Sequence, residues 1–430
     1  MRDTSLWHPF SDMATVRHDE LVLVRGEGVY VWDDAGNRYL DGCASLWYCN
    51  VGHGRAEIAE AVAEQLRTLE TWSTFGEAAN PPALELAERL AAHAPADGAK
   101  VFFTTGGGDA IDTAAKLARL YWQTIGDPGR LHIISRQHGY HGTMAFGTSI
   151  GGMEAIRAGY GPLVPNTSQV PHDSAHALRD EIERLGADKV AAFFCEPVIG
   201  AGGVYPPLPG YLEEVAEICA ETGVLLVIDS VIVGFGRIGG WYGCERFGIR
   251  PDLITFAKGV TSGYLPLGGV VACARIAEPF WSEPGRVMVR HGQTYAGHAA
   301  VCAGALANLA ILEREGLLSR GQELEGELLE ALEPLREHPA VADVRGGVGL
   351  IGAVELADPS AVGQLYRAVR SRGVLLRQQA KALAISPPLI ATSEHISEIA
   401  DALAGALDEI DSAGAAVSST QTEPGQSPVS

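Results

Sequence analysis

The runs VLLVID (residues 224–229) and LITFAK (residues 253–258) decide the predicted fold. Each is short, unbroken and apolar until its last residue, which is typical of a strand buried on both faces in a helix-covered parallel sheet. Similar runs alternate with helical stretches at residues 101–104, 131–134, 190–195 and 269–274. The pattern predicts an α/β fold with a mostly parallel central sheet, whose last strand could be antiparallel.

The domain organisation follows from where this alternation begins and ends. Helical apolar spacing begins at residue 56, after a segment of short strand-like runs, and an α+β block follows residue 304. We therefore predict a large domain at residues 56–304 and a small domain built from residues 1–55 and 305–411. Residues 412–430 are small and polar and contain Pro and Gly, a composition typical of a disordered tail.

Composition excludes several classes of protein. The chain has 430 residues, with 47% hydrophobic and 20% charged, values that exclude a disordered or fibrous protein. Its formal charge of −21 argues against nucleic-acid and anionic-membrane partners, because phosphate binding needs clustered Lys and Arg. No apolar run approaches the roughly 20 residues that span a bilayer, and no secretory signal is visible. Seven scattered cysteines without a CxxC pair predict reduced thiols and a cytoplasmic location.

The segment GFGRIG (residues 234–239) matches a dinucleotide-binding fingerprint, but its context does not. A Rossmann unit needs a helix at the third glycine and then a strand that ends in an acid. Here Gly240, Gly243 and Gly248 would break a helix, and Asp252 precedes its strand. We therefore set NAD-dependent oxidoreduction aside.

Asp229 and Lys258 end two separate buried runs. A lysine at the end of a buried strand is costly unless it is neutralised or used covalently. Ligands of open α/β sheets bind at the carboxyl ends of the strands, so these two side chains could face one pocket. They could form a buried ion pair. Alternatively, a cofactor could lie between them, with Lys258 as a Schiff base and Asp229 on a pyridinium nitrogen.

A glycine-rich turn follows the run at residues 101–105 and precedes a predicted helix at residues 110–122. Free amides and the helix dipole at Gly106, Gly107 and Gly108 would form an anion site. Such turns also serve tight packing, so this motif alone does not decide between the two.

Together, these motifs resemble the class III, fold-type-I aminotransferases that depend on pyridoxal phosphate, and the ω-transaminases among them. The likeness extends from about residue 6 to the last helix. The motifs that carry it are LWHPF (6–10), YHG (140–142), EPVIGAGG (196–203), VLLVIDSVIVGFGR (224–237), PDLITFAKG (251–259), YLPLG (264–268) and GQTYAGH (292–298). The resemblance implies pyridoxal 5′-phosphate as the cofactor, a large α/β domain, a small α+β domain, and no metal.

The resemblance also implies catalytic roles. Lys258 would hold the cofactor as an imine and then move the proton between the substrate carbon and the cofactor. Asp229 would keep the ring nitrogen protonated. The other implied cofactor contacts are Gly107 and Gly108 on the phosphate, Tyr140 stacked on the ring, Glu196 on the side of the phenolic oxygen, and Thr294 on the phosphate of the neighbouring subunit in a homodimer with shared active sites. His141 could equally be a structural hydrogen-bonding residue.

On the substrate side, the resemblance implies that Arg377 binds a carboxylate and that Trp47 and Ala201 line the pocket, with Phe10 and Phe75 as weaker candidates. The implied function is transfer of an amino group from an amine or ω-amino acid to pyruvate or a similar 2-oxo acid, by a ping-pong aldimine/ketimine cycle. The same chemistry would also serve an epimerase, a mutase or a decarboxylase, and a non-catalytic cofactor-binding protein is a further alternative.

The chain departs from the family pattern in two places. Residues 106–109 read GGGD where the family usually carries Ser-Gly-Ser-Glu, so phosphate binding would depend on backbone amides. Ser230 replaces the acid that usually follows the pyridinium partner. Both departures leave Lys258 in place, so we still expect an active enzyme.

Overall fold

The fold is taken from a computed structural model, which describes residues 4–285 and 287–420. Its strands are β1 (Leu23–Glu27), β2 (Tyr30–Asp33), β3 (Arg38–Asp41), β4 (Lys100–Thr104), β5 (His132–Arg136), β6 (Thr167–Val170), β7 (Val190–Cys195), β8 (Leu225–Asp229), β9 (Leu253–Phe256), β10 (Gly268–Ala272), β11 (Val341–Arg345), β12 (Gly352–Leu356), β13 (Val374–Leu375), β14 (Arg377–Gln378) and β15 (Ala382–Ile385).

The α-helices are α1 (Met13–Val16), α2 (Ala44–Trp47), α3 (Ala56–Thr68), α4 (Pro81–His93), α5 (Gly107–Ile125), α6 (Ala145–Ile150), α7 (Glu154–Arg157), α8 (Ala175–Leu185), α9 (Tyr211–Thr222), α10 (Ala274–Trp281), α11 (Ala299–Arg314), α12 (Leu317–Glu323), α13 (Glu325–Leu332), α14 (Val362–Ser371) and α15 (Ser393–Thr420). Short 3₁₀ turns lie at Ala187–Lys189, Cys244–Phe247, Lys258–Val260, Glu333–Glu337 and Pro359–Ala361. Of the described helices, none is long and apolar enough to cross a bilayer.

A seven-stranded sheet forms the centre of the molecule, in the order β4-β10-β9-β8-β7-β5-β6. Only β10 runs opposite to the other strands, because its pairings with β4 and β9 are antiparallel and the remaining pairings are parallel. The predicted mostly parallel sheet is therefore confirmed. The run at residues 269–274 supplies the antiparallel strand, which lies one strand in from the edge.

Both faces of this sheet are covered, as the unbroken apolar runs predict. All six residues of β7 are buried, and they divide between two hydrophobic clusters. Phe193 belongs to the larger cluster, and Phe194 packs in the cluster under α5. Because α5 presents the small side chains Ala110 and Ala114 to the sheet, its backbone lies close to the strands.

Two four-stranded sheets lie outside the central one, in the orders β1-β2-β3-β13 and β11-β12-β15-β14. β3 pairs with β13 in parallel, which joins the N-terminal segment to the C-terminal block. Strand β6 of the central sheet matches none of the apolar runs from which the sheet was predicted. The division into domains at residues 56–304 and at 1–55 with 305–411 stays a prediction.

The last helix is longer than the sequence predicted. No proline interrupts Ser393–Thr420, and α15 extends to Thr420, past residue 411, where we expected order to end. The rest of the predicted tail, residues 421–430, lies outside the described residues.

Residues 234–239 form turns and no helix, in keeping with the failed dinucleotide context. Within them the buried Arg237 donates to the Leu350 and Pro387 carbonyls and to Asn50 Oδ1.

Candidate active site

The catalytic candidates meet at the carboxyl edge of the central sheet. Asp229 is the last residue of β8, and Lys258 opens a 3₁₀ turn two residues after β9, with a φ of 50°. Between them lies a cavity of about 140 Å³. Its lining residues are Gly107, Gly108, Ile111, Tyr140, His141, Gly142, Glu196, Asp229, Val231, Ile232 and Lys258. The structure thus brings together every predicted cofactor residue except Thr294.

The Asp229 carboxylate is held by three donors. His141 Nδ1 lies 2.9 Å from Oδ2, while Oδ1 accepts from the Val231 amide at 3.0 Å and from the Thr255 hydroxyl at 3.3 Å. Both His141 and Thr255 are buried, so this network excludes water from their side of the carboxylate. The donors fix the direction in which Asp229 presents its charge.

His141 acts on the site through Asp229. A carboxylate only accepts, so the contact assigns the imidazole hydrogen to Nδ1. Nε2 is buried and has no hydrogen-bond partner among the residues described. His141 therefore donates a hydrogen bond that orients Asp229, and its role toward the cofactor stays a prediction.

Lys258 is half-buried in the wall of the cavity. Burial lowers the pKa of Lys258 below its ordinary value, and the nearby charges of Asp229 and Glu196 partly offset this effect. A lowered pKa leaves more of the amine neutral near neutral pH, and the neutral amine is the form that attacks a carbonyl.

Glu196, in the wall of the cavity, accepts hydrogen bonds from the backbone of two separate segments. Its Oε1 accepts from the Tyr140 amide at 3.0 Å, and its Oε2 accepts from the Gly200 amide at 2.9 Å. Burial raises the pKa of Glu196. Tyr140 is half-buried, and its ring makes an edge contact with Phe10 at a centroid distance of 6.5 Å. Phe10 therefore reaches the outer side of Tyr140 without lining the cavity itself.

The helix N-terminus at the cavity is shaped by Asp109. Its carboxylate accepts from the Thr105 amide at 2.7 Å and from the Thr105 hydroxyl at 2.6 Å, so it closes the turn and leaves the first amides of α5 free. Glycine is required here, because a Cβ on Gly142 would lie 2.8 Å from the Gly108 Cα. Gly107 and Gly108 thus offer backbone amides and the dipole of a 19-residue helix to an anion.

This donor set fits pyridoxal phosphate. An amine for the aldehyde, a carboxylate for the ring nitrogen and a helix N-terminus for the phosphate all line one cavity. The missing family serines at residues 106–108 do not prevent the fit, since the backbone amides remain. Lys258, Asp229, Gly107 and Gly108 would hold the cofactor.

The predicted substrate residues lie together beside this cavity. The Arg377 guanidinium lies 6.0 Å from the Trp47 ring centroid, and its charge lowers the pKa of Tyr140 against the larger effect of burial. Trp47 is buried in a cluster with Cys43 and Ile232, and Ala201 packs against that cluster. Carboxylate binding by Arg377 stays a prediction.

Thr294 and Phe75 are not brought to the cavity within one chain. Thr294 is exposed, as is Phe75, which lies against Gly292, where an added Cβ would be 3.2 Å from its ring. The expected contact of Thr294 with a neighbouring subunit's phosphate stays a prediction.

Thr255, Val231 and Ile232 belong to the site but were not predicted from the sequence. Thr255 is the one polar side chain inside the run LITF, a signal that could have pointed to its role. Val231 contributes its amide to Asp229 and its side chain to the cavity, and Ile232 contributes to the wall. No pattern in the sequence distinguishes these last two from ordinary core residues.

The fold and this site define an enzyme of the pyridoxal-phosphate class. The aminotransferase class-III family matches residues 13–407. The chain belongs to this family, so it is an aminotransferase with pyridoxal 5′-phosphate as its cofactor. A probable aminotransferase of Mycobacterium tuberculosis is 41% identical, over 94% of this chain and 93% of the relative.

Relatives with more specific names are also similar. The putrescine–pyruvate aminotransferase of Pseudomonas aeruginosa is 36% identical over 93% of each chain. The crystal structure of an (S)-enantioselective ω-transaminase from Thermomicrobium roseum matches with a TM-score of 0.90 and 39% identity, covering 94% of this chain and 96% of that one. The PLP-bound amine transaminase of an uncultivated Pseudomonas species matches with a TM-score of 0.91 and 37% identity, over 95% and 99%.

Proposed function

We propose that this aminotransferase moves an amino group from an amine or ω-amino acid to pyruvate or a similar small 2-oxo acid, in a ping-pong cycle. The observation that carries this proposal is the placement of Arg377 next to Trp47 beside the cofactor cavity. A guanidinium fork binds a carboxylate with two hydrogen bonds, whereas the indole and Ala201 offer an apolar wall to an uncharged donor. The related ω-amino acid and putrescine aminotransferases that use pyruvate support this choice.

Different residues of the chain bind the cofactor and move the proton. When bound, pyridoxal phosphate supplies an electron sink for the substrate carbon that loses its proton. Lys258 takes that proton on its amine and returns it, because one short-range base must reach both positions. Asp229, oriented by His141, holds the proton at the ring nitrogen, and Gly107 and Gly108 bind the phosphate.

Tyr140 and Glu196 complete the cofactor side. Tyr140 would stack on the ring of the bound cofactor, and Glu196 holds the Tyr140 amide in place. We further propose a homodimer in which Thr294 contacts the phosphate of the neighbouring subunit. The exposure of Thr294 and Tyr295 supports this arrangement. We also propose that the protein is cytoplasmic.

A two-stage assay tests the function. Holoenzyme is first mixed with a panel of amines and ω-amino acids, and the loss of its visible absorbance band is recorded. Pyruvate is then added, and alanine is measured, with 2-oxoglutarate as the comparison acceptor. We expect stoichiometric alanine from at least one donor and slower use of the larger dicarboxylate. Racemisation without transfer of nitrogen would indicate an epimerase and contradict the proposal.

A further inference from the structure

Gln379 connects the hairpin that carries Arg377 to a turn of the chain near the central sheet. It lies two residues after Arg377, and its Nε2 donates to the Gly200 carbonyl at 3.0 Å. Its own backbone amide donates to the Ala382 carbonyl at 2.9 Å, which closes the hairpin between β14 and β15. The side chain therefore bonds to the 200–205 turn from a fixed position at the hairpin tip.

The amide of Gln379 can make this bond in only one orientation. A carbonyl oxygen only accepts, so the NH₂ group must face Gly200. The Gln379 Oε1 then points elsewhere, and it is buried without a partner among the described residues. A buried unpaired oxygen is unfavourable, a cost that an apolar side chain would avoid. Filling this space therefore does not require a glutamine, and the bond to Gly200 has a role beyond packing.

The other side of Gly200 leads to the cofactor cavity. The Gly200 amide donates to Glu196 Oε2 at 2.9 Å, and Glu196 lines the cavity. Hydrogen bonds therefore join Glu196 through the Gly200 peptide groups to Gln379, two residues from Arg377. Ala201, the predicted wall of the substrate pocket, lies in the same turn.

The strand that carries Arg377 makes only a short backbone pairing with β15. β14 has two residues, and their register with β15 is Arg377 opposite Ala384 and Gln378 opposite Leu383. The β15 side chains Ala382 and Ala384 belong to the Trp47 cluster, and Leu383 and Ile385 belong to the larger core cluster, so β15 itself is firmly placed. A second small-domain side chain, Arg345, donates to the Gly203 and Val204 carbonyls, but it lies on β11 and not on this hairpin.

We propose that Gln379 is a positioning residue that sets the location of Arg377 for binding the carboxylate of the 2-oxo acid. This inference rests on the proposed function, in which Arg377 binds that carboxylate. Loss of the Gly200 bond would let β14 shift relative to Ala201 and Trp47. Binding of a carboxylate substrate would weaken, while the chemistry at Lys258 would continue.

The test compares two acceptors of the same carbon number, pyruvate and propanal, of which only pyruvate carries a carboxylate. Gln379→Met holoenzyme should show a KM for pyruvate raised about 2- to 10-fold, the range expected from one lost hydrogen bond. Its KM for propanal and its kcat with both acceptors should change less than 2-fold. Gln378→Met, at the exposed neighbouring position, is the matched control and should leave all values unchanged.

A double variant separates positioning from a general structural effect. Arg377→Ala should raise the KM for pyruvate, and adding Gln379→Met to it should raise the KM no further, because the two changes remove one interaction. Equal changes for pyruvate and propanal, or additive changes in the double variant, would overturn the inference. If Arg377→Ala raises the KM and Gln379→Met does not, the inference alone fails. If Arg377→Ala leaves the KM unchanged, the proposed acceptor binding fails and takes the inference with it.

Discussion

His141 Nδ1 and Asp229 Oδ2 lie 2.9 Å apart, although they come from segments that follow different strands of the central sheet. Asp229 ends β8, whereas His141 follows β5, and β7 lies between these two strands. Both side chains are buried, so this contact does not compete with water. The pair turns a strand-end acid into a fixed anion that faces the cofactor cavity.

This relationship predicts a graded loss of activity. Asp229→Asn removes the anion and should lower the single-turnover rate on the order of 10²–10⁴-fold, the usual scale for a group that controls proton position. His141→Ala leaves the anion but frees its orientation and should cost roughly 10–100-fold. Single-turnover absorbance with a reactive donor measures both. Equal losses in the two variants would contradict the assignment of His141 as the orienting partner.

A second prediction concerns the covalent role of Lys258. Lys258→Ala should lose at least about 10²-fold in transamination rate, because no other amine lines the cavity in the part of the chain described. Borohydride treatment of the wild-type holoenzyme should fix the cofactor on the peptide that contains Lys258, as mass spectrometry would show. Lys381→Ala, at an exposed position, is the control and should behave as wild type. A variant lacking Lys258 that kept turning over would rule out this role.

A third prediction follows from the lowered pKa of Lys258. The neutral amine forms above its pKa, so the rate at which apoenzyme attaches added pyridoxal phosphate should rise with pH. The midpoint should lie below 10.5, the ordinary lysine value, because burial disfavours the ammonium form. Glu196→Gln should lower the midpoint further, since the Glu196 charge raises the pKa of Lys258. A midpoint at or above 10.5 would show that burial does not control this amine.

The central sheet could be predicted from sequence because buried strands and strand-end polar residues leave local signals. The runs ending at Asp229 and Lys258 are short and apolar, and the rule for ligands at strand ends placed the two residues in one pocket. The Asp229–His141 contact has no such signal, because the residues lie 88 positions apart. Only the tertiary fold brings them together.

The substrate side was harder to predict for a related reason. Ala44, Ser45 and Trp47 all have positive φ, although none is a glycine, and local propensity does not favour this conformation. Tertiary contacts hold it, since Asp41 accepts from the Ser45 amide and Trp47 packs in the core. The bond between Gln379 and Gly200 likewise joins residues 179 positions apart, which no periodicity reveals.

The last prediction concerns Arg237, which has a structural role. Its side chain is fully buried, and it donates to the Leu350 carbonyl, the Pro387 carbonyl and Asn50 Oδ1. These three acceptors belong to the N-terminal segment and the C-terminal block, so one cation joins both to the central part of the chain. Burial lowers the pKa of Arg237 to about 10, so the guanidinium still carries its charge at neutral pH.

Arg237→Met should therefore lower the free energy of unfolding by at least about 3 kcal/mol, because it leaves three buried acceptors without a donor. Arg237→Lys, with fewer and less spread donors, should lose less. Arg67→Met is the matched control, since Arg67 is largely exposed and its contact with Glu64 at 3.7 Å should contribute under about 1 kcal/mol. Urea unfolding of the three variants measures these differences. If Arg237→Met unfolds at the same urea midpoint as Arg67→Met, the buried hydrogen bonds of Arg237 contribute no net stability.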